Sequence, residues 1–293
     1  MSFRHPQGRG SVAAMSHHAI KTAPQHASWP ELLALWQAAD EIDVFESAWN
    51  WDHFYPLAPP YDGPNLEGWT MLAALAQATS RIRLGSMVNG MHHRHPAVTA
   101  NMAATLDHIS SGRFELGMGA GWNFMESDAY GLELGELRDR SDRLEEGIEV
   151  IIQLLSQKHT THKGRFFELT EALCEPKPIQ NRIPIVIGGT GRRRTLRTAA
   201  KYADHWDATL LDQPSDFTEL DEVLREHCER VGRNQSEIRR SIHFYLDAET
   251  DPGQAVDRAH GFFDVGVDIA IWGFQTAPDV RQLVDLAEAI RDR

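Results

Sequence analysis

The chain has 293 residues, 42% hydrophobic and 24% charged, a composition that suits a globular fold with a sizeable core. Its 42 acidic residues outnumber 29 basic ones, for a net charge of −13. That balance argues against nucleic acid or a bare anionic membrane surface as a partner, and no stretch approaches the ~18–20 continuous apolar residues of a membrane span. Residues 1–17 lack the apolar core of a signal peptide and read as a flexible N-terminal tail, which leaves residues 18–293 as one domain. Candidate strands open near Ala19, Asp43, Ile82 and Arg113, then near Ile183, His205, Arg239 and Asp268. Between them lie helical patterns such as WPELLALWQAADEI, GWTMLAALAQATS, PAVTANMAATLDHIS and LRDRSDRLEEGIEVIIQLLS. In the last, Leu144, Ile148, Ile151, Ile152 and Leu155 recur at helical spacing and predict one buried face. Repeated strand–helix alternation predicts a (β/α)8 TIM barrel of the α/β class. A long gap between the fourth and fifth strands, with HTTHKGRFFELTEALCEPKPIQNR, predicts an insertion packed near the barrel mouth. Cys174 and Cys228 match no zinc or redox spacing and read as packing residues in a reducing, cytoplasmic setting.

In such a barrel, chemistry gathers where strands end and βα loops begin. At one end, WDHF supplies Asp52 as an acceptor and His53 as a proton shuttle near neutrality. GMGAGW places Gly117, Gly119 and Gly121 where the backbone either approaches a ligand or packs tightly at a barrel corner. Trp122 suits the face of a planar ring, and Trp49, Trp51, Trp122 and Trp272 are expected to line an apolar pocket. In IPIVIGGTGRRRT, glycine amides, the Thr190 hydroxyl and a helix N-terminus offer an anion cradle. Three arginines there oppose the helix dipole unless an anion is bound or they point into water. HHRH, residues 92–95, lacks a carboxylate or cysteine to complete a ligand set; it reads as a solvated loop, and no metal site is expected.

Two blocks, SRIRLGSMVNGMHHRHPAVTANMAATLDHISSGRFELGMGAGWNFMESDAYG and GRFFELTEALCEPKPIQNRIPIVIGGTGRRRTLRTAAKYADHWDA, resemble the bacterial-luciferase-like (LLM class) flavin and deazaflavin oxidoreductases. With WDHF, the resemblance covers nearly everything from Ala19 to Arg293. DHISSGR and GAGW resemble the branch that uses coenzyme F420. The resemblance implies a deazaflavin at the C-terminal mouth, backed by a non-proline cis peptide at Met87-Val88 and followed by Asn89 and Gly90. It places Asp52, Ala120, Gly121 and Trp122 beside the ring, and Gly188, Gly189, Thr190, Gly191 and Arg192 around the coenzyme phosphate. His53 falls to the substrate, in a hydride transfer between C5 and a small organic molecule. The alternative is an FMN-dependent monooxygenase using reduced flavin and O2. Leu57 and Trp122 stand where the family's sugar-phosphate dehydrogenases carry a tryptophan and a glutamate, so a sugar phosphate is not expected. A second proton-transfer group stays open among His26, Glu126 and Tyr130. The implied partners are a small-molecule substrate, an F420 or flavin reductase acting indirectly, and a second copy in a homodimer.

Overall fold

Eight parallel strands close on themselves in the computed structural model, which describes residues 16–247, 249–274 and 279–293. The chain begins β1 (His17–Lys21), α1 (Trp29–Glu41), β2 (Phe45–Asn50), α2 (Gly68–Ala78), β3 (Arg83–Ser86) and the two-residue β4 (Asn89–Gly90). It continues with α3 (Pro96–Ile109), β5 (Phe114–Gly119), α4 (Phe124–Ala129), α5 (Leu137–Ser156) and a hairpin of β6 (Thr160–Lys163) and β7 (Glu168–Ala172). The last third runs β8 (Ile185–Gly188), α6 (Thr195–Tyr202), β9 (His205–Asp207), α7 (Pro214–Val231), β10 (Arg239–Leu246), α8 (Pro252–Phe263), β11 (Ile269–Phe274) and α9 (Val280–Arg291). Around the ring the order is β1, β2, β3, β5, β8, β9, β10, β11, and β11 pairs back onto β1. The expected tail lies outside the described residues except Ser16 and His17, and His17 already opens β1.

Strand side chains alternate between the barrel interior and the surrounding helices. Ala19, Trp49, Met87, Val186, Ile269 and Ile271 form the inner apolar layer. Their sequence neighbours, such as Ile20, Ala48, Ile187, Ala270 and Trp272, belong to the outer core against the helices. Local signals set the helix ends. Ser28 and Glu31 form a capping box ahead of α1, Glu67 accepts from the Trp69 and Thr70 N–H groups ahead of α2, and Gly232 ends α7 at φ 71°. On α5 the buried face includes Leu144, Ile148 and Ile151 as expected, but Val150 and Leu154 are its other buried members while Ile152 and Leu155 are only partly covered.

The insertion between β5 and β8 does not line the mouth. Its hairpin clasps α5 from outside: Glu146 accepts from the Phe166 and Phe167 N–H groups at 3.0 and 2.8 Å. Phe167 also meets the His95 ring edge-on at 5.3 Å. Further on, Lys177 Nζ donates to the carbonyls of Leu154, Gln157 and Cys174, capping the end of α5. Both cysteines are buried and unpaired, as packing residues should be. Among the described residues no helix is long and apolar enough to cross a membrane.

Candidate active site

A cavity of about 300 Å³ opens at the C-terminal ends of the barrel strands, the low end of the range for small-molecule sites. Asp52, His53, Met87, Val88, Asn89, Gly90, Gly121, Trp122, Gly188 and Gly189 line it. Ala120, Thr190, Gly191 and Arg192 sit beside it without lining it. Among the described residues no group of three or more His, Cys, Asp or Glu is arranged to hold a metal ion.

His53 is the best-positioned acid–base group. Its Nδ1 donates to Glu126 Oε1 at 2.5 Å, and Glu126 Oε2 accepts from the Phe54 N–H at 2.9 Å. Glu126, on α4, is only 1% exposed. Burial opposes its charge, but the His53 hydrogen bond and charge and the Phe54 amide hold the carboxyl below its usual range. An ionised Glu126 fixes His53 with Nδ1 protonated, so Nε2 is the nitrogen that exchanges a proton in the cavity. The rings of Trp51 and Trp122 meet His53 edge-on at 5.9 and 5.4 Å. The three candidates for a second group are thereby separated. Glu126 contacts His53, whereas His26 bonds the Ala58 carbonyl at 2.9 Å and Tyr130 stacks on Phe54, neither of them lining the cavity.

His92, His93 and Arg94 of the HHRH loop turn away from solvent, and only His95 is exposed. Arg94 Nη1 donates to both oxygens of Asp52 at 2.8 Å, His93 Nδ1 donates to Oδ2 at 3.0 Å, and Arg94 Nη2 reaches Glu67 at 2.9 Å. Asp52 is 2% exposed, and a carboxylate so deep requires opposite charge and donors. The loop turns inward to supply them. His92 bonds Ser127 Oγ at 3.0 Å, and burial together with His93 pushes its imidazole down to about 4.

Met87–Val88 is the non-proline cis bond expected at the strand-three bulge. The glycines of GMGAGW serve that bulge first. A Cβ on Gly117 would collide with the Ser86 carbonyl, and one on Gly119 would fall 2.7 Å from Val88 Cγ2. Two expected tryptophans leave the pocket for a reason of strand periodicity. Trp49 points inward one layer deeper, donating to Ser47 Oγ at 3.0 Å. Trp272 points outward, stacks on His18 and donates to its Nδ1 at 3.2 Å.

The arginines after GGTG are engaged at the surface. Arg192 pairs with Glu219 on α7 at 2.6 Å, and Arg194 pairs with Asp142 and Glu145 on α5. Arg193 is exposed and has no ion pair among the described residues. Inside their curve, a Cβ on Gly191 would fall 2.7 Å from Thr195 Oγ1, and Gly189 adopts φ 118°. Gly189 and Gly191 therefore let the strand end pack closely against the Thr195 side chain at the start of α6.

Sequence reasoning missed Lys21 and His243 and left Asp207 and Tyr245 unconnected, yet all four line the cavity. Ser241 donates to Asp207 Oδ1 at 2.9 Å, His243 Nε2 reaches the same oxygen at 3.1 Å, and His205 bonds Ser241 at 2.7 Å. Despite burial, the His243, Lys21 and His205 charges keep the Asp207 carboxyl well below the usual carboxylate range. The signal was present: His205 and Asp207, then Ser241, His243 and Tyr245, are polar at every second position with apolar residues between.

Fold and site define a (β/α)8 barrel with a cavity at its C-terminal mouth, lined by His53 and by glycines of three strand ends. The family described as luciferase-like monooxygenase matches residues 9–291, and the chain belongs to that family. A pyrimidine monooxygenase, RutA, of Methylobacterium radiotolerans is 33% identical over 256 residues, covering 82% of this chain and 62% of that protein. An F420-dependent glucose-6-phosphate dehydrogenase of Kineococcus radiotolerans is 33% identical over 239 residues, covering 78% and 67%. With an uncharacterised protein of Mycobacterium tuberculosis, 33% identical over 169 residues, the match spans 58% of either chain. The fold is shared with an F420-dependent secondary alcohol dehydrogenase solved with an F420-acetone adduct, at TM-score 0.82 and 20% identity over 94% of this chain and 99% of the other.

Proposed function

We propose that the protein is an F420-dependent oxidoreductase that moves a hydride between C5 of the deazaflavin and a small organic substrate. The observation that carries this reading is His53 at the cavity wall, its Nδ1 held by the buried Glu126 and its neighbour Asp52 held by Arg94. When bound, the coenzyme supplies the carbon that gives or accepts the hydride. Met87, Val88, Asn89 and Gly90 would back its ring, with Asp52, Ala120, Gly121 and Trp122 at its edges. Gly188, Gly189, Thr190 and Gly191 would receive its phosphate, with Thr195 Oγ1, close against Gly191, as a further donor. His53 Nε2 takes a proton when an alcohol is oxidised and returns it when an unsaturated bond is reduced. Trp51 and Trp122 shield that exchange from bulk water. A cytoplasmic location and an F420 reductase as indirect partner belong to this reading.

The identity to the pyrimidine monooxygenase supports a second reading, an FMN-dependent monooxygenase fed by a flavin reductase. Absorbance titration separates the two. The expected result is saturable binding of F420 and none of FMN over the same range; tight FMN binding with none for F420 would reverse the assignment. Arg192 tests the phosphate anchor. Its surface pair with Glu219 is weak enough to exchange for an anion, so Arg192→Ala is expected to weaken F420 about fivefold, a loss of roughly 1 kcal/mol. Unchanged affinity would leave the anchor to Gly189, Gly191 and Thr195.

A further inference from the structure

Sorting the charged groups of the cavity leaves one without a direct ion pair. Asp52 is taken up by Arg94 and His93, and Glu126 by His53 and the Phe54 amide. Asp207 Oδ1 is shared by Ser241 and His243. Lys21 ends β1 on the inward face and lines the cavity. Among the described residues its Nζ has no carboxylate within 4.0 Å and no hydrogen-bond acceptor. Burial pushes the ammonium down to about 8, with Asp207 opposing from a distance, so it remains mostly protonated at neutral pH. Asp207 offsets part of the cost of holding a cation in this half-buried position, and an anion in contact with the ammonium would offset more.

Tyr245 stands beside it. In the strand register Lys21 lies against Gly273, and Gly273 lies against Tyr245. A Cβ on Gly273 would fall 2.7 Å from Tyr245 Cδ1 and Cε1, so the missing side chain is what lets the ring lie over that gap. Partial burial, with the Asp207 charge, pushes the phenol up and keeps it a neutral donor; the side chain is 38% exposed, and among the described residues its hydroxyl has no protein partner. Two donors without acceptors therefore flank one gap in the wall. The ring order places β1 four strands from β8 in either direction, across from the glycine cradle, and directly beside β2, which leads into His53.

We propose that Lys21 and Tyr245 bind the carboxylate of a small carboxylate substrate, seated on the wall opposite the glycine cradle and next to His53. The assignment rests on the reading of the cavity as a substrate pocket. Asp207 and His243 act as positioning residues beneath the pair.

Benzoate, a planar carboxylate, is the probe, titrated into the protein without coenzyme and followed by the fluorescence of Trp51 and Trp122. Saturable quenching is expected, weakened at least about tenfold in Lys21→Met and a few-fold in Tyr245→Phe. Lys201→Met, which removes a surface charge paired with Glu149, should behave as the unaltered protein. Equal benzoate affinity in a Lys21→Met protein with a native circular dichroism spectrum would overturn the proposal, as would the absence of saturable quenching. Benzamide keeps the test independent of any variant's folding: this neutral isostere should bind the unaltered protein at least about tenfold more weakly, and equal binding would overturn the assignment. F420 titration of Lys21→Met should give unchanged affinity; lost affinity would assign Lys21 to the coenzyme instead. Benzoate binding by a protein that binds no F420 would reject the proposed oxidoreductase while supporting the carboxylate site.

Discussion

His53→Ala is expected to lower turnover by about 10²–10⁴-fold, the usual contribution of a positioned acid–base group, with little change in coenzyme affinity. In the proposed reading His53 faces the substrate, whereas the ring and phosphate contacts other than Asp52 follow β3, β5 and β8. The alanine variant also strips the buried Glu126 of its strongest partner. His53→Gln, whose amide still donates to that carboxylate, separates lost proton transfer from lost packing. Steady-state rates with F420 and a substrate panel, beside coenzyme titrations and thermal melts, would decide the matter. A glutamine variant as fast as the parent protein would remove His53 from the chemistry.

Acid is expected to destabilise the protein steeply between pH 6.5 and 4. Burial holds His18, His92 and His205 each at about 4 in the folded state, against the ordinary histidine value of 6.5. Across that window the unfolded chain binds protons that the folded chain refuses, so stability falls as pH falls. The slope is roughly 1.4 kcal/mol per pH unit for each fully titrating histidine, or about 4 kcal/mol per unit for three. The depressed carboxyl of Asp207 works the other end. Its stabilisation is present above the unfolded carboxylate value and is lost only as pH drops below about 4. Thermal melts from pH 7 down to 4.5 should show Tm dropping throughout; a Tm independent of pH over that range would mean the three imidazoles titrate normally.

The barrel was legible because its signals are periodic and redundant. Eight short apolar runs separated by amphipathic helices leave few other solutions, and the α5 pattern erred only by one residue around its axis. The Asp52–His53 strand end and the Met87–Val88 bulge were readable because they are contiguous in sequence. The site's electrostatics were not, because they depend on contacts between distant residues. Nothing local to HHRH announces that Asp52, some 40 residues earlier, is a buried carboxylate needing Arg94. Glu126 lay among three candidates until α4 set it against His53. Lys21 closes a strand with no charged neighbour to flag it, and its meaning came from Tyr245 two strands away.

The run of three arginines has a consequence beyond ligand binding. Arg192 reaches α7, Arg194 reaches α5, and Arg197 adds a second tie to Glu145 at 2.5 Å. The eight-residue α6 is thus moored at its leading end to both flanking helices by ion pairs on the rim. The seat of the GGTG loop is therefore shared with helices outside the cavity. Exchanging acids on α5, where Asp142 and Glu145 hold Arg194 and Arg197, would bear on the rim while leaving the cavity's own side chains untouched.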